Sequence, residues 1–339
     1  MKTMLLDSPL RPLWDAFKRL FRVDRRRNMV FYAYDESRFW KFSGAWGKRG
    51  RESMLAELSV SFHVIEKGLT MPNRHLGFGI SVVKDLMRQI EEFVTHYGSD
   101  DVMVEHAIGV VKSYWLLHCS NCYKFDGQGD FEDRLKLFVE RYPNVTSATQ
   151  PHFTHSQFYA TIDAPFPEFA AGRHTIRHFA LNQPISAERI EHAVSVAQTA
   201  PSACNRQHGR IYCVTNHEKC RRILDLQGGN RGFGHLADKV LIVVADLEDI
   251  LLPRERNDAF VNGGIFLMNL CYALHYDKIA HCILTWAQPP ETDLKLRAII
   301  PLKESEVVIA LLACGDAPDE FDVAASPRRN LQSVLKFVE

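Results

Sequence analysis

A chain of 339 residues is long enough for two domains and a substantial buried core. Lys plus Arg balance Asp plus Glu at 41 each, so neither a nucleic-acid-binding basic excess nor an acidic disordered tail is expected. No apolar run is long enough to span a membrane, no signal peptide opens the chain, and eight cysteines are too sparse for a disulfide scaffold, so the expectation is a reduced, cytoplasmic protein.

The chain begins with an amphipathic segment carrying Leu13, Phe17, Leu20 and Phe21 at helical spacing, broken by Arg25, Arg26 and Arg27. The triple Arg suits a solvated helix end, with contact to phosphate or anionic lipid as the alternative. The aromatic, basic stretch after it suits an irregular packing surface or a lid. Met54, Leu55, Leu58, Phe62 and Ile65 then recur at three to four residues and predict a helix over 51–69, ended by Gly68. The next stretch, rich in Gly and Pro, reads as a turn between helices. It also gathers charged groups in a setting where loops are often functional. His63 and Glu66, at i and i+3, could share a metal, although no second His/carboxylate pair stands nearby. Helices are predicted over 80–97, 101–118 and 130–141. The H-C-S-N-C run at His118, Cys119 and Cys122 reads as bystander cysteines; a redox pair or half a zinc site would need partners that the sequence does not supply. Residues 143–168, rich in Pro, Ser and Thr, read as a linker in which Pro165 and Pro167 discourage regular structure. The domain boundary is placed there, with a mostly helical region over 1–165 and a second domain over 166–339.

From residue 170 the pattern turns to mixed helix and strand. A helix is predicted over 186–199 from a capping-box start at Ser186, a strand over 210–215, a short helix over 217–226, and a strand over 239–246 buried on both faces. The 258–276 segment is apolar all round and reads as a core helix. Two more strands are predicted over 279–284 and 306–314.

Two polar clusters flank the 186–199 helix. Arg173, His174, Thr175 and Arg177 place two guanidiniums, an imidazole and a hydroxyl in five residues, chemistry suited to phosphate oxygens. Pro201, Ser202, Ala203, Cys204, Asn205, Arg206 and Gln207 compose a tight polar loop able to hydrogen-bond a heterocycle, or a plain helix-stop turn. Arg328 and Arg329 form a second basic pair. No G-x-G-x-x-G, Walker loop, G-x-S-x-G elbow or H-E-x-x-H spacing is present.

Taken in order, R-H-T-I-R-H-F, A-P-S-A-C-N-R-Q, the apolar helix N-G-G-I-F-L-M-N-L, and the strand closing in C-G-D before S-P-R-R-N-L resemble the nitroreductase family of FMN-dependent oxidoreductases over about residues 170–339. The resemblance implies an α+β fold, a mostly antiparallel sheet flanked by helices, here preceded by a mostly helical region. It implies an intertwined homodimer with FMN at the subunit interface, reduced by NAD(P)H and passing electrons to a small organic acceptor in a ping-pong cycle. Carried over by position, Arg173, His174 and Thr175 would hold the ribityl-phosphate, and Arg177 would approach the pyrimidine edge of the ring. Pro201, Ser202, Ala203 and Asn205 would reach across from the partner, Thr285 and Trp286 would lie over the ring, and Arg328 and Arg329 would close on the phosphate. No catalytic side chain, no metal and no nucleic-acid partner are implied.

Two departures bear on substrate class. The family's Q-P-W is Gln207, His208 and Gly209 here, and its G-L after the long helix is replaced around Lys278. The first 165 residues have no counterpart in the small nitroreductases. The 65–74 stretch looks like an extension associated with nitroreductase-like proteins of bacterial surface-polysaccharide loci. Alternatives inside the same fold are a dehydrogenase acting on a bound intermediate and a reductive dehalogenase-like activity. A different class is a non-catalytic module that binds flavin or an intermediate and partners a biosynthetic complex.

Overall fold

The computed structural model describes residues 23–43, 50–181 and 183–338. The first predicted amphipathic segment, with Leu13, Phe17, Leu20 and Phe21, lies outside them. Helix α1, Val23–Phe42, runs through Arg25, Arg26 and Arg27 and through the aromatic stretch expected to be irregular. Arg is a good helix former, and the segment holds no Gly or Pro, so nothing in its composition ends the helix. Its Asp35 carboxylate takes both Nε (2.6 Å) and Nη2 (2.7 Å) of Arg256.

Helices α2, Arg51–Leu69, α3, Ile80–Tyr97, α4, Val102–Ser120, and α5, Phe131–Arg141, form a bundle. The first two match the predicted boundaries. Each turns its apolar stripe to a common core that includes Leu58, Ile65, Leu86, Ile90, Val104, Ile108 and Phe138. Gly68 lets α2 close on the following loop, since a Cβ there would lie 2.1 Å from the Phe78 ring. His118 supports the same loop. Buried at the end of α4, it donates from Nδ1 to Tyr114 O (2.7 Å) and accepts at Nε2 from Gly77 N–H (2.8 Å). Cys119 and Cys122 are exposed free thiols.

The stretch expected as a linker carries structure. Strand β1, His152–Thr154, pairs antiparallel with β6, Glu320–Asp322, through Phe153 opposite Phe321. The short helix α6, His155–Phe158, starts from a Thr154–Gln157 capping box. Helix α7, Phe166–Gly172, contains Pro167 in its first turn, where a missing N–H breaks no helical bond. The expectation that Pro165 and Pro167 keep this segment irregular is therefore corrected.

The main sheet has the order β2-β3-β5-β4, antiparallel throughout. Its strands are β2, Gly209–Val214, β3, Lys239–Asp246, β4, Ala280–Thr285, and β5, Glu306–Gly315. Every residue of β3 is buried. Its side chains alternate between two cores. Val240, Ile242 and Val244 join the layer of α9, His217–Gln227, and α11, Pro290–Ile299, while Leu241 and Val243 join that of α8, Ala187–Ala197, and α10, Asp258–Tyr276. Helix α11 was not anticipated from the sequence. A four-residue helix α12, Leu331–Val334, follows β6.

Two further expectations change. Ser186 caps α8 by accepting from Arg189 N–H (3.4 Å), but the return half of a capping box is missing. Arg189 instead sends its guanidinium to Asp316 (2.9 Å) and to the Asp277 carbonyl. Helix α10, expected to be core all round, buries Phe266, Leu270 and Leu274 and leaves Phe260, Val261 and Ile265 exposed. No helix among the described residues is long and apolar enough to cross a membrane.

Candidate functional site

The 173–177 segment leaves α7 extended and is fastened to the sheet where Ile176 N–H donates to the His281 carbonyl, 3.1 Å. Ile176 is buried, while Arg173, His174, Thr175 and Arg177 stay half-buried. Burial first, then His281 and Arg173, push the His275 pKa down to about 3. Burial likewise takes His281 down to about 4. Both imidazoles are therefore neutral, and both Nε2 atoms are buried without a hydrogen-bond partner among the described residues. His174 is held below its ordinary value by burial, by Arg173 and by Arg328, which places Arg328 in the same neighbourhood. Among the described residues, Arg173 has no carboxylate partner. A half-buried guanidinium without a counter-ion is costly. Arg173 is such a group, with the exposed Arg328 and the neutral imidazoles near it.

Arg177 points the other way, to α2. Its Nη2 donates to His63 Nε2 (3.2 Å). Because Arg only donates, His63 carries its proton on Nδ1, which faces Glu66 Oε2 at 3.3 Å. Glu66 is fully buried and also accepts from His106 Nε2 (2.8 Å) and Ser326 N–H (3.3 Å). Burial opposes its ionisation, but the hydrogen bonds from His106 and His63 outweigh that and hold its pKa at about 2. The oxygens that could have shared a metal with His63 are thus committed, and among the described residues no cluster of three potential metal ligands exists. Ser326 adopts a left-handed backbone, φ 45°, just before Pro327 and the Arg328–Arg329 pair. One carboxylate of the helical half therefore steadies both Arg177 and the turn that presents Arg328. Arg329 itself is engaged on α2, 2.6 Å from Glu52.

The 201–207 loop is built with strain. Cys204, Asn205 and Gln207 have φ of 52°, 55° and 54°, a region that non-glycine residues enter at a cost. Side-chain contacts hold it. Asn262 Oδ1 on α10 accepts from Ala203 N–H (3.1 Å), Ser202 Oγ accepts from Gln207 N–H (2.8 Å), and Arg206 pairs with Glu255 (2.9 Å). Pro201, Ser202 and Gln207 line a cavity of roughly 400 Å³ with Arg210 and Phe266, and nothing from the 173–177 segment reaches it. His208, at the proline position of the Q-P-W motif with Gly209 at its aromatic, is fully buried, its Nδ1 3.7 Å from Asp249 Oδ2. Within one chain the two polar clusters face different spaces.

Thr285 ends β4 and Trp286 follows it. The Thr285 carbonyl accepts from Gln227 Nε2 (3.2 Å), and the Trp286 indole donates to Asp293 Oδ1 (3.0 Å). A second cavity, of roughly 520 Å³, lies between the loop after α2 and the loop after α9. Lys67, Arg74, His75, Arg231 and His235 contribute to its wall, with Val64, Met71 and Phe78 as the apolar side, and no acidic residue lines it. Sequence reasoning did not single out Lys67, Arg231 or Asn262, and it read Glu66 only as a possible metal partner of His63. The signal available was the density of charged groups around Gly68 and Pro72, read there as a turn.

Residues 170–230 match the family model described as Nitroreductase family. No curated protein matches the chain. Among solved structures, the Nitroreductase Family Protein from Streptococcus pneumoniae is 18% identical with a TM-score of 0.44, over 51% of this chain and 100% of that one. A protein described as an NAD(P)H:FMN oxidoreductase from Staphylococcus epidermidis is 18% identical with a TM-score of 0.46, over 52% and 96%. One described as a nitroreductase in complex with FMN, from Exiguobacterium sibiricum, is 18% identical with a TM-score of 0.44, over 52% and 98%. The segment that carries the Arg173 and Ser202 clusters thus bears the sequence signature of the nitroreductase family, in a chain whose first half is a helical bundle packed onto it.

Proposed function

We propose that the protein is an FMN-dependent oxidoreductase, and the observation that carries this is the unpaired, half-buried Arg173 with Arg328 nearby, inside the segment that matches the nitroreductase model. The residues present fit the group: two guanidiniums and the Thr175 hydroxyl for a phosphate, and Arg177 as a fixed positive charge for the electron-rich edge of a flavin ring. When bound, FMN would supply two-electron redox chemistry between NAD(P)H and a small organic acceptor, in a ping-pong sequence. The chain's own part is placement and charge. Arg173 and Arg328 bind, Thr175 donates a hydrogen bond, and His63 with Glu66 keeps Arg177 oriented. No side chain is assigned as an acid or base. The test is the purified protein's spectrum and its titration with FMN. A yellow protein, or one that takes up FMN with a flavin spectrum and is then reduced by NAD(P)H, agrees with this reading. A colourless chain that cannot be loaded rejects it.

A homodimer belongs to the same proposal. Helix α10 leaves Phe260, Val261 and Ile265 in solvent, and a Cβ at Gly264 between them would meet nothing within 4 Å. Contiguous exposed apolar surface of this kind marks an interface. A second chain there would bring Pro201, Ser202, Ala203 and Asn205 toward the partner's cofactor, which explains why the two clusters face apart within one chain. Light scattering should give about twice the 38.8 kDa chain mass, and the double substitution F260E/I265E should halve it and weaken FMN binding. A wild-type monomer that binds FMN tightly contradicts this part. A reducing, cytoplasmic location agrees with eight cysteines that are all free.

A further inference from the structure

The 520 Å³ cavity between the loops after α2 and α9 has no residue of the 173–177 cluster in its wall and has a chemistry of its own; Gln227, just before its Gly228 wall, donates to the Thr285 carbonyl. Two loops from different halves of the chain make it. The 69–79 loop follows α2 and is held by His118 at Gly77. The 228–235 loop turns through Gly228 (φ 74°) and Gly232 (φ 86°), and a Cβ at Gly232 would approach Met71 Sδ to 3.1 Å. The two loops therefore touch, and the cavity is a built feature of the seam between the halves. On its wall Lys67 is half-buried. Burial, Arg177 and Arg231 all act to lower its pKa, so three cationic groups crowd one region. Glu66, one residue before Lys67, is already committed to His63, His106 and Ser326. Among the described residues, neither Lys67 nor Arg231 has a carboxylate partner. Cations gathered at a cavity without acids are stabilised by a ligand that brings the missing charge. Val64, Met71 and Phe78 give the wall its apolar part, so the ligand's body is apolar or unsaturated.

We propose that this cavity binds an organic anion, a carboxylate or phosphate on an unsaturated body, through Lys67 and Arg231, and that this anion is the electron acceptor. The helical half would then set substrate class, since Lys67 and the apolar wall come from it. The assignment as acceptor rests on the flavin reading; the anion binding does not. Two sources share this chemistry, a compact acceptor acid and the pyrophosphate of a nicotinamide dinucleotide.

The test is calorimetric titration of the full chain, as purified, with 4-nitrobenzoate and with 4-nitrobenzamide, which differ in charge but share ring and nitro group. A charge-assisted contact predicts that the wild type prefers the carboxylate about tenfold or more. The preference should fall toward one in R231Q and in K67Q/R231Q; Arg231 is exposed, so R231Q tests the site even where the double variant fails to fold. Equal affinity for the two probes, or a preference that survives R231Q, overturns the proposal. ADP binding tighter than 4-nitrobenzoate, and lost in the same variants, overturns the acceptor assignment in favour of the dinucleotide. A colourless chain that still discriminates charge rejects the flavin reading and keeps the anion site. A yellow chain blind to charge does the reverse.

Discussion

Replacing Arg173 by Met should weaken FMN binding about a hundredfold or more while leaving the flavin-free protein as stable as before, or more so. Two charge-assisted hydrogen bonds from one guanidinium are worth about 1.5–3 kcal/mol each, and every 1.4 kcal/mol is about tenfold in Kd. The second half of the expectation follows from the surroundings. Among the described residues Arg173 pairs with no carboxylate, and the imidazoles that feel its charge, His174, His275 and His281, have their pKa values lowered by burial. Removing a half-buried charge that lacks a partner relieves a desolvation cost. Fluorescence titration with FMN gives the first quantity and chemical denaturation of the flavin-free chain the second. Normal FMN affinity in R173M would remove the proposed phosphate site. A large loss of flavin-free stability would make Arg173 a structural residue instead.

Glu66→Ala should be the most destabilising single change in the seam between the halves, by about 3–5 kcal/mol, the usual cost of breaking a buried charged network from one side. It strands His63, His106 and the Ser326 N–H together. The pH dependence is set by sign. Glu66 has its folded pKa lowered from 4.5 to about 2, so its contribution is complete above the ordinary carboxylate value and is lost as pH falls from there through about 2. The stability gap between wild type and Glu66→Gln should therefore be constant at neutral pH and shrink below about pH 4.5. The groups facing this carboxylate are His63 of its own helix, His106 of α4 and the Ser326 amide. Denaturation curves across that range check it. A gap that widens with acid would mean that Glu66 is not ionised in the native protein. The same variant should loosen FMN, since both Arg177 and the turn before Arg328 lose their support. E66Q, which keeps the side chain's shape and one acceptor oxygen, should recover part of the stability.

The elements were legible where a local pattern dictates them. The 3.6-residue stripes of Leu58, Phe62 and Ile65, and of Val83, Leu86 and Ile90, gave α2 and α3 to the residue. The near-continuous β-branched run of β3 marked a strand covered on both sides. Failures came where a rule has a positional exception. Pro167 was read as a breaker, but it sits in a first turn, where proline is harmless. The apolar girth of α10 was read as full burial, yet a helix apolar all round can equally hold one face for a neighbour. The site was half legible. Arg173 to Arg177 and Pro201 to Gln207 announce themselves by composition. Glu66, Lys67 and Arg231 do not, because their meaning depends on the loops after α2 and α9 meeting, and sequence distance hides that. His63 and Glu66 were noticed as a pair; what escaped notice was that the third partner is an Arg more than a hundred residues on.

The strand order of the main sheet also governs when this protein can become itself. Strand β5 lies between β3 and β4 yet follows both in the chain. During synthesis β3 and β4 therefore emerge with their shared seat vacant, each displaying an open hydrogen-bonding edge. The helical bundle has no such wait, since its core draws only on residues 54–138, and it can consolidate early as a unit. Its buried carboxylate at Glu66 must stay solvated until Ser326 arrives. Ribosome-bound chains halted before residue 306 should accordingly be compact at the front, adhesive at the back, and dependent on holdase chaperones until β5 is threaded home.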